Sequence, residues 1–244
     1  MTALLEVSGI AKRFGRVVTA TDVSFHVGAG EVLGVVGPNG AGKSTMLDIV
    51  NGTQRPDAGR VLLDGDDVTS LGAAGRGRRG IGRTYQVPRP FGGLTVFENV
   101  LVGATFAGGA RGRQAHRAAL DAIETAGLTH VVNTDAASLR LLDRKRLELA
   151  RALATEPRLI LLDEIAGGLT EAELPELVAL IARLRDAGLG VVWIEHIVHA
   201  LLQVVDRLMC LAMGEVVATG DPHAVMASPA VMEVYLGSVA EGGA

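Results

Sequence analysis

The spacing of apolar and polar positions changes along the chain, and each change predicts a different kind of element. In residues 3–36, short runs such as LLEV, VVTATDVSFHV and EVLGVVG alternate apolar with polar positions. Alternation is typical of strands with one buried face, whereas the apolar part of EVLGVVG favours a fully buried strand. RVLLDGDDV, residues 60–68, adds a strand and a turn. We therefore predict an antiparallel β layer that leads into a buried strand.

Helical spacing replaces this alternation in residues 95–155. Three runs, TVFENVLVGATF, HRAALDAIETAG and DRKRLELARALA, place apolar side chains three or four positions apart. We predict that this stretch forms a helical lobe inserted between two parts of the chain that are rich in strands.

From residue 158 onward, strand runs alternate with helical runs. The strand runs are RLILLDE, GVVWIEH and RLMCLAMGEVVATG, and the helical runs are ELPELVALIARLRDAG and VHALLQVVD. This order favours a mostly parallel sheet covered by helices. Residues 222–237 are predicted to form a short helical tail. The predicted fold class is α/β, with a core sheet, an N-terminal antiparallel β layer and the inserted helical lobe.

Composition narrows the class of protein. The 244 residues are 48% apolar, but no run of 18 or more apolar residues occurs, so we predict no membrane-spanning helix. The N-terminal segment lacks the long apolar stretch of a signal peptide, and the one cysteine excludes an internal disulfide and fits a reducing cytoplasm. A net charge of −4 with 3% aromatic residues speaks against a nucleic-acid binder. The basic run RGRRGIGR, residues 76–83, is predicted to be a solvated surface segment.

GPNGAGKST, residues 37–45, contains the complete phosphate-loop pattern G-x-x-x-x-G-K-[ST]. Glycines let backbone N–H groups turn inward around a phosphate, and a helix that starts near Lys43 directs its positive end at the same anion. We expect the Lys43 ammonium to reach the phosphate oxygens and the Ser44 hydroxyl to be a ligand of Mg²⁺. A glycine-rich turn without a ligand is the weaker interpretation. The predicted nucleotide-binding residues of this loop are Gly37, Pro38, Asn39, Gly40, Ala41, Gly42, Lys43, Ser44 and Thr45.

LILLDE ends in two carboxylates, Asp163 and Glu164. In a parallel sheet, a strand buried on both faces would deliver them beside the phosphate loop. We predict that Asp163 holds Mg²⁺ and that Glu164 polarises the attacking water. A hydrolase benefits from the second acid, whereas a nucleoside kinase does not need it; an exposed pair that caps the next segment is the alternative. The helical residues 95–155 between loop and acids favour an ATPase with an inserted arm over a small GTPase.

These motifs, in this order, resemble the ATP-binding subunit of ABC transporters over residues 4–237. GPNGAGKST resembles the Walker A loop and LILLDE the Walker B strand. Gln86, at the end of RTYQ, matches the Q-loop glutamine, and His196, at the end of WIEH, matches the switch histidine. Phe14, in KRFG, lies where the family stacks an aromatic ring on adenine. The resemblance implies that ATP and Mg²⁺ bind here. The implied metal ligands are Ser44, Gln86 and Asp163, and the implied catalytic residues are Glu164, His196 and Gln86.

The resemblance also implies one ABC ATPase domain with a P-loop NTPase core. Its expected parts are a RecA-like core with the antiparallel layer (residues 4–94 and 156–221), a helical lobe (95–155) and a C-terminal helical tail (222–237). Phe91, Leu94 and Phe97 follow the Q-loop; half of this segment is expected in the core of the lobe. The family adds a groove here that receives a cytoplasmic helix of a permease.

Three segments resemble, more narrowly, the ATPase subunits of branched-chain amino acid importers. They are GIGRTYQVPRPFGGLTVFENVLVG, LELARALATEPRLILLDEIAGGLTEAE and GEVVATGDPHAVMASPAVMEVYLG. Such importers take up hydrophobic amino acids with a periplasmic or extracellular binding protein, two membrane permeases and two ATPase subunits. The resemblance therefore implies those partners, no nucleic acid, and a cytoplasmic position on the inner face of the cell membrane. A lipopolysaccharide-export ATPase and a soluble ABC ATPase that acts on DNA or ribosomes remain the alternatives.

The segment before LELARALA departs from the family. Alignment there places Arg140, Leu141 and Leu142 on the Ser-Gly-Gly turn, whose serine donates to the γ-phosphate bound on the opposite subunit. The following helix survives, with Asp143 as its expected N-cap. Three interpretations stay open: a degenerate half-site, an Arg140 guanidinium that replaces the serine, or a register in which Ser138 takes that role.

Two positions after the acids depart as well. Ile165 stands where proline usually follows the Asp-Glu pair, and Thr170 stands where many family members carry Asp or Asn. In the family, the loop between these positions couples the two nucleotide sites across the dimer, and the resemblance implies the same role here. We expect ATP binding to be retained and hydrolysis to be asymmetric. The altered turn favours a pair of unlike ATPase subunits, and a pair of identical subunits stays open.

Overall fold

The structure, a computed structural model, describes residues 3–241. Its strands are β1 (Ala3–Phe14), β2 (Val17–Gly28), β3 (Val32–Val36), β4 (Ala58–Leu63), β5 (Asp66–Asp67), β6 (Ile81–Arg83), β7 (Leu159–Asp163), β8 (Gly190–Ile194), β9 (Arg207–Ala212) and β10 (Glu215–Gly220). Its α-helices are α1 (Lys43–Asn51), α2 (Ala73–Gly77), α3 (Val96–Val102), α4 (Arg113–Thr125), α5 (Leu141–Leu153), α6 (Leu174–Asp186), α7 (Val198–Leu201), α8 (Pro222–Met226) and α9 (Pro229–Glu241). A π-helical turn (Gly103–Ala107) follows α3, and two 3₁₀ turns (Thr129–Val131 and Ala136–Ser138) precede α5.

The first sheet is antiparallel and has the strand order β2-β1-β4-β5. Along β2, Val23, Phe25 and Val27 are buried while the residues between them are exposed. This is the period of two that the sequence pattern requires of a strand with one solvated face. The buried face forms one hydrophobic core together with β3 and α1. The predicted antiparallel layer is confirmed.

The second sheet has six strands in the order β10-β9-β3-β8-β7-β6. The five strands from β9 to β6 run parallel, and β10 pairs antiparallel with β9. β3, β7 and β8 are buried at every position, which explains their nearly continuous apolar runs. The predicted mostly parallel sheet is confirmed. Because these strands are parallel, the residues that follow β3, β7 and β8 meet at one edge of the sheet.

Two C-terminal segments are more divided than the sequence pattern shows. RLMCLAMGEVVATG folds as the hairpin β9–β10, whose turn contains Met213 and Gly214, both with left-handed φ angles (48° and 78°). The predicted tail contains two helices, α8 and α9. Among residues 3–241, no helix combines the length and the apolar character that a membrane crossing requires.

The three helical runs of residues 95–155 form α3, α4 and α5. These helices share a hydrophobic core of their own, whose buried members include Val96, Val100, Ile123 and Leu147. The packing supports a separate lobe, and its limits at residues 95 and 155 stay a prediction.

The basic run at residues 76–83 is only in part the solvated segment that we predicted, because Arg78 and Arg79 are exposed but Arg76 is not. Arg76 is fully buried, and its guanidinium donates to four backbone carbonyls. The acceptors are Ile49, Val50, Thr69 and Leu71, at 2.6, 2.9, 3.0 and 3.0 Å. A planar guanidinium with five N–H donors satisfies several carbonyls at once, which explains how a basic side chain is accommodated here. Burial lowers the pKa of Arg76 to about 10.

Candidate nucleotide-binding and catalytic site

The phosphate-loop residues connect β3 to α1 at the edge where the parallel strands end. Gly37 and Gly42 have φ angles of 146° and 99°, which favour glycine. A Cβ at Gly37 would lie 1.9 Å from the Leu211 carbonyl oxygen, and one at Gly42 would lie 2.0 Å from the Thr19 carbonyl oxygen. The two glycines therefore let the loop pass directly against β9 and β2.

The first turn of α1 faces the loop with unpaired donors. The helix begins at Lys43, and its N-cap, Gly42, supplies no side-chain acceptor. The first N–H groups of a helix have no intrahelical partner, and they lie at the positive end of its dipole. This arrangement fits a phosphate group. Around it, Asn39, Gly40 and Ser44 are exposed, Pro38 and Thr45 are half-buried, and Ala41 is buried.

Lys43 is nearly buried, and its ammonium turns back over the loop. Its Nζ donates to the carbonyl oxygens of Gly37 at 2.7 Å and Pro38 at 2.9 Å. Burial lowers the pKa of the Lys43 ammonium, and the carboxylates of Glu164 and Asp163 oppose that shift. Both carboxylates thus lie close enough to Lys43 to stabilise the charge of its ammonium.

Asp163 ends β7 with its side chain nearly buried. Arg83, at the end of β6, donates to Asp163 at 3.2 Å and to Asp48 at 2.5 Å. Burial raises the pKa of the Asp163 carboxyl, and the charge of Arg83 opposes the shift. Arg83 was not predicted as a site residue, because it lies in the run that was predicted to be solvated.

Glu164 brings the three predicted catalytic side chains together. Its backbone is left-handed, with φ 49°, which is uncommon for a residue that has a side chain. Its carboxylate accepts hydrogen bonds from the Gln86 Nε2 and contacts the His196 Nε2, the latter at 2.5 Å. β8 leads to His196 and lies between β3 and β7, so the strand order itself places the histidine beside the acid.

The site offers oxygen ligands for a hard cation. Arg83 joins Asp163 to Asp48, which lies one helical turn after Ser44 on α1, so the end of β7 adjoins the start of the helix. The side-chain carbonyl oxygen of Gln86 is a further candidate ligand. It remains available because Glu164 contacts the amide nitrogen of that side chain. Within residues 3–241 no group of three His, Cys, Asp or Glu side chains could hold a metal. The donors fit Mg²⁺, which uses few carboxylates together with substrate phosphates.

Phe14 lies on the hairpin that borders the phosphate loop. It ends β1 and pairs with Val17 of β2. Its ring is 46% exposed, and the Lys12 Nζ lies 5.3 Å from the ring centroid. Thr19, on the same hairpin, has the carbonyl that adjoins Gly42. An exposed ring at this place is accessible for stacking, and its contact with adenine stays a prediction.

The altered turn is residues 140–142, which replace the Ser-Gly-Gly of the family. The N-cap that we predicted for the helix after this turn, Asp143, is wrong. α5 begins at Leu141 with Arg140 as its N-cap, and no side chain caps it. Asp143 lies in the first turn, with its carboxylate 3.7 Å from the Arg146 guanidinium. Leucine is a strong helix former, so Leu141 and Leu142 start the helix before the polar residue. Asp143 still lies favourably near the positive end of the helix dipole.

The altered turn carries bulk where the family has glycines. Leu141 is 40% exposed and Leu142 is buried. A Cβ at Gly168 would lie 3.1 Å from the Leu141 side chain, so Leu141 adjoins the loop after the acids. Ser138 lies upstream of the helix and donates to the Asp135 carbonyl at 2.8 Å, which supports the register with Arg140 at the turn.

Ile165 and Thr170 have local packing and capping contacts. Ile165 is buried in the core between the second sheet and α6. The Thr170 hydroxyl donates to Glu173 at 2.8 Å and accepts from the Glu173 N–H at 3.3 Å. This reciprocal pair resembles a capping box before α6 and accounts for a hydroxyl residue at this position.

The segment after Gln86 is exposed on one side. Phe91 is 45% exposed, with the Arg151 guanidinium 4.9 Å from its ring centroid. Leu94 is half-buried, and Phe97 is half-buried against the core of α3, α4 and α5. Packing thus explains Phe97, whereas nearly half of the Phe91 side chain stays exposed.

Comparison with protein families gives two matches. The profile of the ABC transporter family matches residues 20–167, more than half of the chain. A profile described as the branched-chain amino acid ATP-binding cassette transporter matches residues 215–241.

Curated proteins resemble the chain along nearly its whole length. The lipopolysaccharide export system ATP-binding protein LptB of Haemophilus influenzae is 35% identical over 235 residues, 96% of this chain and 98% of that protein. The high-affinity branched-chain amino acid transport ATP-binding protein BraF of Pseudomonas aeruginosa is 34% identical over 249 residues, again 96% and 98%. A solved ATP-binding cassette of an ABC transporter, in its ADP conformation, superposes with a TM-score of 0.88 at 29% identity and covers 97% of this chain and 100% of that one.

Proposed function

The chain belongs to the ABC transporter family, as a subunit that binds and hydrolyses ATP, and we propose that it drives the import of branched-chain or other hydrophobic amino acids. The match of residues 215–241 to the branched-chain amino acid cassettes carries this proposal, together with the likeness to BraF along the whole chain. The likeness to LptB favours one alternative, the export of lipopolysaccharide.

The phosphate loop is proposed to bind the triphosphate of ATP. The N–H groups at the start of α1 donate to phosphate oxygens, and Lys43 exchanges the carbonyls of Gly37 and Pro38 for the β- and γ-oxygens. Ser44, Asp163 and Gln86 would hold Mg²⁺, directly or through water. When bound, Mg²⁺ neutralises charge that develops on the transferred phosphoryl group. Phe14 would stack on the adenine.

Glu164 is proposed to be the general base. Its carboxylate orients the attacking water and takes a proton from it, while the new P–O bond forms and the bond to the β–γ bridging oxygen breaks. Gln86 and His196 hold this carboxylate through the contacts described above. With ATP bound, the His196 imidazole would donate to the γ-phosphate, and Gln86 would report the presence of that phosphate to the lobe.

ABC ATPases work as dimers with membrane permeases, and the same assembly is proposed here. Phe91 is the exposed apolar ring beside the Q-loop segment, and we propose that it contacts a cytoplasmic helix of the permease. The chain would then lie in the cytoplasm against the inner face of the membrane, and a periplasmic or extracellular binding protein would deliver the cargo.

The two ATP sites of the dimer are proposed to be unequal. Leu141 faces outward at the start of α5, where the family places a glycine, and Arg140 replaces the serine that donates to the opposite γ-phosphate. A leucine side chain offers no donor to that phosphate. We propose that a partner with an intact turn completes the site at Lys43, while the site on the partner turns over slowly.

A transport assay in the native host tests the cargo. Cells that lack the gene are compared with cells that regain the wild-type chain or the Glu164→Gln variant, for uptake of labelled leucine, aromatic acids and urea. We expect leucine uptake to depend on the wild-type chain. Normal leucine uptake without the chain, combined with loss of surface lipopolysaccharide, would replace the import proposal with export.

A further inference from the structure

Two nearly buried charged residues beneath the catalytic side chains have no role in the mechanism above. Lys145, on α5, is 5% exposed, and Glu195, directly after β8, is 2% exposed. A buried charge destabilises the fold unless hydrogen bonds and an opposite charge compensate it. What these two side chains contact therefore indicates why the chain keeps them.

Lys145 contacts the backbone of two predicted catalytic residues. Its Nζ donates to the carbonyl oxygen of Gln86 at 3.3 Å and to that of Glu164 at 3.4 Å. Gln86 follows β6 and Glu164 follows β7, so one ammonium joins two loops whose side chains meet above it. Both acceptors are peptide oxygens, so the side-chain atoms of Gln86 and Glu164 remain available to the nucleotide.

Glu195 makes the complementary contacts with donors. Its Oε1 accepts from the His196 N–H at 2.9 Å, and its Oε2 accepts from the Ala166 N–H at 2.9 Å. Ala166 lies two residues after Glu164, in the same loop. The carboxylate therefore joins the loop that carries the general base to the residue that carries the switch imidazole.

Lys145 and Glu195 form no ion pair within 4 Å, but the Glu195 carboxylate influences the ammonium from a greater distance. Burial lowers the pKa of the Lys145 ammonium, and the nearby carboxylates oppose that shift, Glu195 more than Glu164. The anion at Glu195 thus stabilises the cation that holds Gln86 and Glu164. Together they hold, through hydrogen bonds, the backbone next to the three side chains that meet at the Glu164 carboxylate.

We propose that Lys145 and Glu195 are positioning residues that hold the backbones of Gln86, Glu164 and His196 in the geometry needed for hydrolysis. The proposal rests on the proposed roles of those three residues. Neither Lys145 nor Glu195 would touch the nucleotide. Lys145 also lies one turn along α5 from Leu141, so a shift of this helix would move the carbonyl anchor of the general base.

The test compares ATP hydrolysis by the full-length chain, purified with its native partner subunits, in wild type and four variants. Lys145→Met and Glu195→Gln each remove one charge, and Lys145→Met/Glu195→Gln removes both. Arg144→Met, at an exposed neighbour on α5, is the control. We expect Lys145→Met to lower kcat by at least about tenfold, because small displacements of reacting groups are costly. KM for MgATP should stay within about threefold, because ground-state contacts are untouched.

The double variant separates positioning from mere stability. Each single variant removes the main opposite charge near the buried group that remains, so its unfolding midpoint in urea should fall, and removal of both charges should restore much of that loss. We expect kcat of the double variant to stay low although the fold recovers. If Lys145→Met does not accumulate as folded protein, the double variant carries the test.

Two results would overturn the inference: wild-type kcat in Lys145→Met, or recovery of kcat together with stability in the double variant. Glu164→Gln, measured in the same assay, distinguishes a failure of the positioning role from a failure of the proposed general base. Loss of hydrolysis in Glu164→Gln with wild-type kcat in Lys145→Met would reject only the positioning role. Wild-type hydrolysis in Glu164→Gln would reject the proposed base itself.

Discussion

At Gly37 the chain has no room for even one methyl group. A Cβ there would lie 1.9 Å from the Leu211 carbonyl oxygen, on a backbone with φ 146°. Gly37→Ala must therefore displace either the phosphate loop or β9. We expect a loss of roughly 3 kcal/mol or more in the free energy of unfolding, from strain and overpacking together. Urea denaturation measures this loss, and titration with MgATP should show weaker binding.

Gly40→Ala is the matched control in the same loop. Gly40 also has a left-handed φ angle, 79°, but a Cβ there meets nothing within 4 Å. Only the conformational preference is lost, which costs about 1–2 kcal/mol. Equal losses in Gly37→Ala and Gly40→Ala would show that the close approach to β9 does not restrict the loop.

Sequence motifs predicted the residues with proposed catalytic roles. They did not predict the residues that position those catalytic residues. The motifs predicted that Gln86, Glu164 and His196 are catalytic residues. In the structure, the side chains of Gln86 and His196 both contact the Glu164 carboxylate. Lys145 and Glu195 gave no signal, because a charged letter in a sequence does not show whether its side chain is buried. Their partners are backbone atoms, which no residue pattern specifies.

At the scale of elements, Arg76 closes the end of the helix that begins at the phosphate loop. It donates to the carbonyls of Ile49 and Val50 in the last turn of α1, which has no basic residue of its own. Arg76→Met would remove this donor from both carbonyls, and the Ile49 carbonyl would keep only the Gly52 N–H, at 3.2 Å. We expect a loss of roughly 3 kcal/mol or more in unfolding free energy.

Arg79→Met is the control within the same basic run. Arg79 pairs with Asp66 at 3.1 Å, but both side chains are at least half exposed. An exposed ion pair contributes little, so the change should stay within about 0.5 kcal/mol. Equal effects of the two variants in urea denaturation would contradict the buried role of Arg76.

The periodicity of apolar positions predicted whether a segment is a helix or a strand. It did not predict the residues at which each element begins and ends. The three helical runs before residue 155 form helices, and LILLD forms a buried strand. The start of α5 was placed too late, because we expected a polar cap at Asp143 whereas Leu141 and Leu142 already adopt the helix. The hairpin at Met213 was not predicted, because the apolar run of the sequence continues through the turn.

At the scale of the whole molecule, strand order decides the geometry of the site. β8 lies between β3 and β7, which brings His196 to the acids. A parallel sheet was predictable from alternating strands and helices, but the order of its strands depends on pairings between distant segments. Family resemblance, rather than periodicity, supplied the expectation that the histidine adjoins the acid.

The dimer should hydrolyse ATP unequally. Vanadate traps nucleotide where hydrolysis occurs, so labelled nucleotide should remain mainly at the Lys43 site of the complex with its native partner. The physical reason is that the partner's ATP would face Arg140 and Leu141 instead of a serine hydroxyl and a glycine.

Arg140→Ala tests whether the guanidinium replaces that serine. If Arg140 donates to the opposite phosphate, the variant should lower the turnover that remains at the partner's site. Equal trapping at both sites, together with unchanged turnover in Arg140→Ala, would reject the asymmetric dimer.

The most direct measurement of the central claim is MgATP binding and hydrolysis by the intact complex with wild-type chain and with Glu164→Gln. We predict that both bind MgATP and that Glu164→Gln lowers kcat by at least about 100-fold, because the water loses its base. Failure of the wild-type complex to retain MgATP, or wild-type kcat in Glu164→Gln, would contradict the account.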